Sequence, residues 1–207
     1  MATQTASALE PKRMPVVEQK IKKLRELYAD ASEIGKAALE NGLPMLTEEL
    51  AAPPRAHTAG RIGLRQGKVS ELCVFLPFAK GGAKRLRGLL QLLEGNFRAA
   101  DAVGTVHDMR FVFVDGDTKL LFATAYDGDF DAYIDDFATK IPNAMDLWLS
   151  NCEGYPGMRS GKAKEWIYNH QIAAEAWYVN SPNLTAAETR RLEKVGKAVE
   201  ELLEQIG

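Results

Sequence analysis

The chain has 207 residues, 46% of them hydrophobic, and a net charge of −2. That length supports one domain with a substantial core plus a helical extension, and the charge balance lacks the basic surplus of a nucleic-acid-binding domain. Two cysteines are too few for a disulfide framework, and no run reaches the roughly 18 apolar residues of a membrane helix. The polar residues 1–15 also lack the apolar run of a secretory signal. The sequence reads as a cytoplasmic protein with no nucleic-acid or membrane partner.

In chain order, residues 1–15 read as a flexible tail punctuated by Pro11 and Pro15. An N-terminal helical segment spans 16–54. Val17, Ile21, Leu24 and Tyr28 repeat at helical spacing, and a second run over Ala31–Leu39 is expected to stop at the Asn41-Gly42 cap. Ala51-Ala52-Pro53-Pro54 marks the boundary of a domain over 55–180.

Within that domain Arg61–Arg65 is a short candidate strand and Glu71–Phe78 a stronger one. Lys80-Gly81-Gly82 opens a helix with Leu86, Leu89, Leu90 and Leu93 on its apolar face. Two apolar runs, Thr105–Val114 and Lys119–Tyr126, flank the turn Asp115-Gly116-Asp117-Thr118 and form a hairpin. A helix starts near Asp129, buries Phe130, Tyr133, Ile134 and Phe137, and is interrupted by Pro142. Ala144–Leu149 adds a further turn or two, and a Gly-rich loop covers Asn151–Lys162. Glu165–Val179 reads as a last strand, at least over Trp166–Ile172. Thr185-Ala-Ala-Glu188 is a capping box that launches an amphipathic helix within 181–207, with Leu192, Val195, Val199, Leu202 and Ile206 on one side.

The order strand, helix, strand, strand, helix, strand is that of the split βαβ, or ferredoxin-like, α+β fold. It implies a four-stranded antiparallel sheet with helices on one face. The other face needs a cover, and a second copy of the chain in a homodimer is the simplest one. Arg61–Lys80 aligns without gaps on Arg110–Asp129. Chance resemblance of two hairpins is the plainer reading of that match. Duplication would put Arg61 beside the same cavity as Arg110.

The hairpin carries the chemistry worth testing. His107, Asp108 and Arg110 interrupt an apolar strand, and polar groups there must be paired for structure or for catalysis. Strand alternation puts His107 with Met109, Phe111 and Phe113, and Asp108 with Arg110 on the opposite face. One reading opens either His107 or Arg110 onto a cavity, as a base, a metal-centre ligand or an anion holder. The other is a buried Asp108–Arg110 ion pair beside a hydrogen-bonded core histidine. Trp166, Tyr168 and His170 fall on one face of the last strand, as an aromatic wall for a hydrophobic ligand, haem with an axial histidine among them, or as an aromatic core face. Asp127, Asp129 and Asp131 start like a calcium loop, but Ala132 and Ala138 stand where Gly and Glu are needed. No metal ligand set is read there. Lys80-Gly-Gly-Ala-Lys84-Arg85 lacks the spacing of a phosphate-binding loop, and Cys152 reads as structural.

The block from Gly104 to Gly157 resembles an uncharacterised bacterial family with the same His-x-x-Arg strand, Leu-Leu-Phe strand and Tyr-Asp-Gly-Asp turn. Over 61–180 the topology is similar to the dimeric α/β-barrel superfamily. That resemblance implies a cavity between the open sheet face and a dimer partner. It also implies activities such as those of cofactor-free monooxygenases, polyketide cyclases and haem peroxidases, without assigning a catalytic residue. On this basis the chain is expected to be a small-molecule enzyme, an oxidoreductase acting on a hydrophobic or aromatic compound, with haem as a candidate cofactor. Arg110 would orient an oxygen, and His107 or His170 would handle a proton or ligate iron. Tyr126, Trp166 and Tyr168 would line the pocket. The alternatives are a non-catalytic binding or interaction module and a cofactor-free cyclase of the same fold.

Overall fold

The structure is a computed structural model, and residues 14–206 are described. The tail expected over 1–15 lies, up to residue 13, outside the described residues. Met14 and Pro15 belong to the first helix. The chain divides into two compact units between Pro54 and Arg55.

The first unit is a helical hairpin of α1 (Met14–Leu27) and α2 (Glu33–Ala51). Ser32 caps α2 by accepting from the Gly35 N–H at 3.3 Å. The two helices are tied by Arg25, whose guanidinium donates to both Glu40 oxygens at 2.7 and 2.8 Å, and by Lys20, which donates to the Leu50 carbonyl. The stop expected at Asn41-Gly42 does not occur, because α2 runs through it to Ala51. Leu39, Leu43, Leu46 and Leu50 keep helical spacing across the Asn-Gly pair and are all buried or half-buried. That continuous apolar stripe outweighs the local preference of Asn-Gly for a terminus.

The second unit is α+β, built on an antiparallel sheet of six strands: β1 (His57–Thr58), β2 (Leu64–Gln66), β3 (Val69–Pro77), β4 (Val106–Val114), β5 (Lys119–Asp127) and β6 (Gln171–Ile172). The order runs β1-β2-β3-β5-β4, and β6 also pairs with β3. β3 and β5 form its nine-residue centre, from Val69 opposite Asp127 to Pro77 opposite Lys119. The β4–β5 hairpin turns at Asp115-Gly116-Asp117, all three residues having positive φ. Asp and Gly are the residues that adopt this conformation at least cost. Arg87 braces the turn, bonding both Asp117 oxygens and lying 4.6 Å over the Phe113 ring.

Alternation sorts the sheet into two faces. Leu72, Val74 and Leu76 of β3, with Leu120, Phe122 and Tyr126 of β5, point into the core. There they join Leu86 of α3 (Gly82–Leu93) and Val103 of α4 (Arg98–Val103). Phe130, Tyr133, Ile134 and Phe137 come from α5 (Phe130–Lys140), and Met145, Trp148 and Leu149 from α6 (Pro142–Leu149). Fully burying an aliphatic or aromatic side chain of this kind stabilises by roughly 1.5–3 kcal/mol. The second face carries Cys73 and Phe75, half-buried, then Leu121, Ala123, Asp108, Arg110 and Val112.

The four-stranded sheet of the sequence reading is corrected in two respects. The β1–β2 ribbon extends it, and most of the last strand is a helix. Ala163–Asn169 forms α7, leaving only Gln171–Ile172 as β6. The sequence over 163–170 has a period of four: Ala163 and Ile167 are buried together, while Trp166 and His170 meet with ring centroids 4.8 Å apart. Reading Trp166, Tyr168 and His170 as alternate strand residues missed that period.

The final helix, α8 (Ala186–Ile206), starts at the expected capping box. The Glu188 carboxylate accepts from the Thr185 N–H at 2.7 Å, and Thr185 Oγ1 accepts from the Glu188 N–H at 3.1 Å. Its first turn is docked through Ala186, 4% exposed, and through Arg190, which donates to the Gly104 carbonyl. From Arg191 onward every described residue of α8 is exposed. Among the described residues no helix is long and apolar enough to cross a membrane.

Candidate functional site

Among the described residues β4 is one edge of the sheet, and its pairing with β5 is broken once, between Val106 and Asp108. His107 occupies this bulge. Extra residues at sheet edges re-aim side chains, and here the ring leaves the strict alternation to meet Asp127. His107 Nε2 lies 2.7 Å from Asp127 Oδ1. The other carboxylate oxygen, Oδ2, accepts from the Ala186 N–H at 2.9 Å, at the start of α8. The His107 side chain is 21% exposed and that of Asp127 12%. The bulged backbone leaves His107 exposed as a residue, but the ring itself is largely enclosed.

His107 lines a cleft of about 250 Å³ together with Phe97, Asp101, Val106, Asp108 and Met109. One wall is apolar, from Phe97, Val106 and Met109. His107 and Asp101 belong to the rest of the lining, while the Asp108 carboxylate is turned to Arg110. Because Asp127 takes a hydrogen bond from Nε2, Nδ1 is the ring atom left to exchange a proton.

Arg110 does not line this cleft. It pairs with Asp108 at 2.9 Å on the second sheet face, where the two side chains are 63% and 45% exposed. The buried ion pair read from the sequence is therefore a surface pair. Among the described residues edge strand β4 has no neighbour beyond it, so groups that would be enclosed in a central strand stay in water. Arg61, which the internal repeat would place beside Arg110, bonds Asp131 and Glu165 and lies 4.9 Å over the Tyr168 ring.

The remaining candidates lie elsewhere. His170 Nδ1 is 2.7 Å from the Trp166 carbonyl, within the last turn of α7. Trp166 packs edge-on to Tyr155 and donates to the Glu153 carbonyl, and Tyr168 is 40% exposed. These three sit beside β6, on the β3 side of the sheet, with β3 and β5 between them and β4. At roughly 4.8 Å per strand that separates them from His107 by well over 10 Å. Tyr126 is fully buried against Tyr133, ring centroids 3.9 Å apart, with its hydroxyl unpartnered. Burial raises its hydroxyl pKa well above the ordinary value. It is a core residue, and the six sequence candidates do not converge on one cavity.

Other reactive groups are quenched or engaged. Burial, with Glu71 beside it, pushes the Cys73 thiol up to about 11, and burial pushes Cys152 up to about 12. Asp129 pairs with Arg65, and Asp131 with Arg61 and Lys164. The glycine-led start of α3 is closed off as well: a Cβ at Gly82 would stand 2.0 Å from the Asn151 carbonyl oxygen. Asp127, the partner that gives His107 its orientation, enters the sequence reading only as the start of a rejected calcium loop, and its pairing with His107 is missed because it belongs to an Asp-Gly-Asp turn. Nothing in the sequence marks the bulge that brings the two together.

Comparison with protein-family models, with curated proteins and with solved structures finds no match to this chain.

Proposed function

We propose that the second unit is a small-molecule enzyme of acid–base type, with His107 as the proton-transferring group and Asp127 as the residue that positions it. The observation that carries this reading is the 2.7 Å His107–Asp127 bond at a bulge lining a cleft. A carboxylate held on one imidazole nitrogen fixes the tautomer and favours the imidazolium formed when the other nitrogen takes a proton. Asp127 is itself held by the Ala186 N–H, so the dyad needs little reorganisation. Asp101 among the lining residues disfavours anions and favours hydroxyl- or amine-bearing ligands. A volume of about 250 Å³ lies just below the usual range for drug-sized ligands, which points to a compact substrate with one apolar side.

The antiparallel order β6-β3-β5-β4 supports a ferredoxin-like frame for the site. Within the activities that frame suggests, proton-transfer chemistry fits the cofactor-free cyclase reading. Oxidoreductase chemistry, and haem with it, draws support from the resemblance alone. The cytoplasmic assignment rests on composition.

The test is a screen of small polar fragments read by NMR at the imidazole carbons. The chain has three histidines, so His107→Gln identifies the signal. Fragments that shift the His107 resonance and lose affinity in Asp101→Ala support the site. A library that leaves His107 unmoved rejects it. In that case the dyad pins the start of α8 and does no more.

A further inference from the structure

We propose that the first turn of α8 is part of the His107 site, with Ala186 and Arg190 as positioning residues that hold the His107–Asp127 pair together. This role rests on His107 being the proton-transferring group of the cleft.

The sheet by itself holds the pair loosely. The ladder between β4 and β5 is broken at His107, and a glycine stands at the entry to β4 and another at the exit of β5. Gly104 and Gly128 have φ of 87° and 82°, and a Cβ at either would meet nothing within 4 Å. Glycine without close neighbours gives backbone that bends at little cost. A displacement of about 1 Å at either end breaks the pair, since a side-chain hydrogen bond of 2.7 Å is gone by about 3.6 Å.

The start of α8 closes both ends. The Arg190 guanidinium donates to the carbonyl of Gly104, three residues before His107. The Ala186 N–H donates to Asp127 Oδ2 at 2.9 Å. Ala186 and Arg190 are four residues apart, one above the other in a single helical turn. One rigid element therefore fixes the strand that carries the imidazole relative to the strand that carries the carboxylate. The Asp127 side chain is 12% exposed and Ala186 4%, so their bond is charge-assisted and shielded from water, at a helix N-terminus whose dipole favours a carboxylate.

The turn is itself anchored beside the pair. The Lys68 ammonium donates to both Glu188 oxygens at 2.8 Å, and the Lys68 N–H to the Pro182 carbonyl at 2.7 Å. The Lys68 carbonyl accepts from the Gly128 N–H at 3.1 Å, next to Asp127. From Arg191 onward every described residue of α8 is exposed, so the hold of α8 on the sheet is concentrated in the turn that positions the pair. Docking of α8 and pairing of His107 with Asp127 are then coupled, and the coupling is reciprocal.

The experiment uses the full chain and follows the His107 Nε2–H proton by NMR, assigned with His107→Gln. In the wild type that proton is expected downfield and protected from exchange with water. Arg190→Met keeps the aliphatic stem, removes the donor, and is expected to speed exchange of the proton about tenfold, as for local opening after loss of one hydrogen bond to a charged group. Ala186→Pro removes the N–H at the first helical position, where proline is tolerated, and is expected to do the same. Arg190→Lys keeps a donor and recovers most of the protection, and Arg191→Met, at an exposed position, leaves it unchanged. Amides of β3 and β5 are expected to exchange as in the wild type throughout. Wild-type protection of the His107 proton in Arg190→Met overturns the proposal, and a lowered Tm would then show that Arg190 holds the helix alone. Equal acceleration at the β3 and β5 amides also overturns it, since the loss would be global, and so does an equal effect of Arg191→Met, since net charge would be the cause. If Ala186→Pro does not fold, Arg190→Met and Arg190→Lys decide between these outcomes. A proton that exchanges freely in the wild type fails at an earlier point: His107 and Asp127 are then unpaired in solution, and the reading of the cleft falls together with the role of α8.

Discussion

Tyr126 and Tyr133 stack in the core with their rings 7° from parallel, yet only Tyr133 has a partner for its hydroxyl. Thr124 Oγ1 donates to the Asp108 carbonyl, so the Tyr133 hydroxyl donates to Thr124 at 2.7 Å. The Tyr126 hydroxyl is buried with no partner. A buried polar group costs free energy when unpaired and returns some when paired. Tyr133→Phe is therefore expected to lose about 1 kcal/mol, while Tyr126→Phe is neutral or stabilising. Urea unfolding of the two variants checks this, and a clear loss in Tyr126→Phe would mean that its hydroxyl is bonded in solution.

The His107–Asp127 pair separates positioning from chemistry. His107→Gln removes one hydrogen bond and is expected to cost about 0.5–1.5 kcal/mol. Asp127→Ala removes that bond and also strips the Ala186 N–H of its acceptor, so it should cost roughly 1 kcal/mol more. Asp127→Asn keeps an acceptor for Ala186 and should fall between them. Equal losses in all three would show that Asp127 does not hold the start of α8. Chemical denaturation followed by far-ultraviolet circular dichroism gives the ranking.

Much of the frame was legible because its signals are local. The Asp115–Thr118 turn between two apolar runs placed the hairpin, and Thr185 with Glu188 placed the start of α8. Two errors arose where a longer-range pattern prevailed. Apolar residues from Leu39 to Leu50 carried α2 through Asn41-Gly42, and the Ala163/Ile167 and Trp166/His170 pairs made a helix from what looked like a strand. The site was half visible. His107 stood out as a polar residue among apolar ones, but its partner lies 20 residues away and depends on a bulge. Arg110 shared the signal and turned out to be exposed, since sequence alternation does not say which strand is the edge.

Acid should loosen the α8 capping box before the core. The Lys68 ammonium, the Thr185 N–H and the Thr185 hydroxyl hold the Glu188 carboxyl down at about 2, against an ordinary value of 4.5. A carboxyl with a depressed folded-state pKa contributes stability that is fully present above its unfolded value and lost as pH falls through the folded one. The contribution is thus complete at neutral pH and declines between about 4.5 and about 2. Glu188→Gln should lower the Tm at pH 7 and match the wild type near pH 2. A gap that persists at pH 2 would mean that Glu188 acts through packing and not through its charge.

Two glycines of α3 should respond to alanine in opposite directions. Gly88 lies within the helix, and a Cβ there meets nothing within 4 Å. Gly88→Ala is expected to stabilise by up to about 1 kcal/mol, because alanine loses less backbone entropy in a helix. Gly82 opens the same helix against the chain after α6, where an added Cβ would lie 2.0 Å from the Asn151 carbonyl oxygen and 3.0 Å from its carbon. That oxygen already accepts from the Ala79 N–H at 2.9 Å, and the Asn151 side chain is bonded to the Leu147 and Trp148 carbonyls. Backbone anchored on both sides cannot yield cheaply, so Gly82→Ala should destabilise by about 1–3 kcal/mol, the range for overpacking a close contact. Thermal melts of the two variants decide it, and a Gly82→Ala protein as stable as the wild type would show that α3 can shift away from Asn151 at no cost.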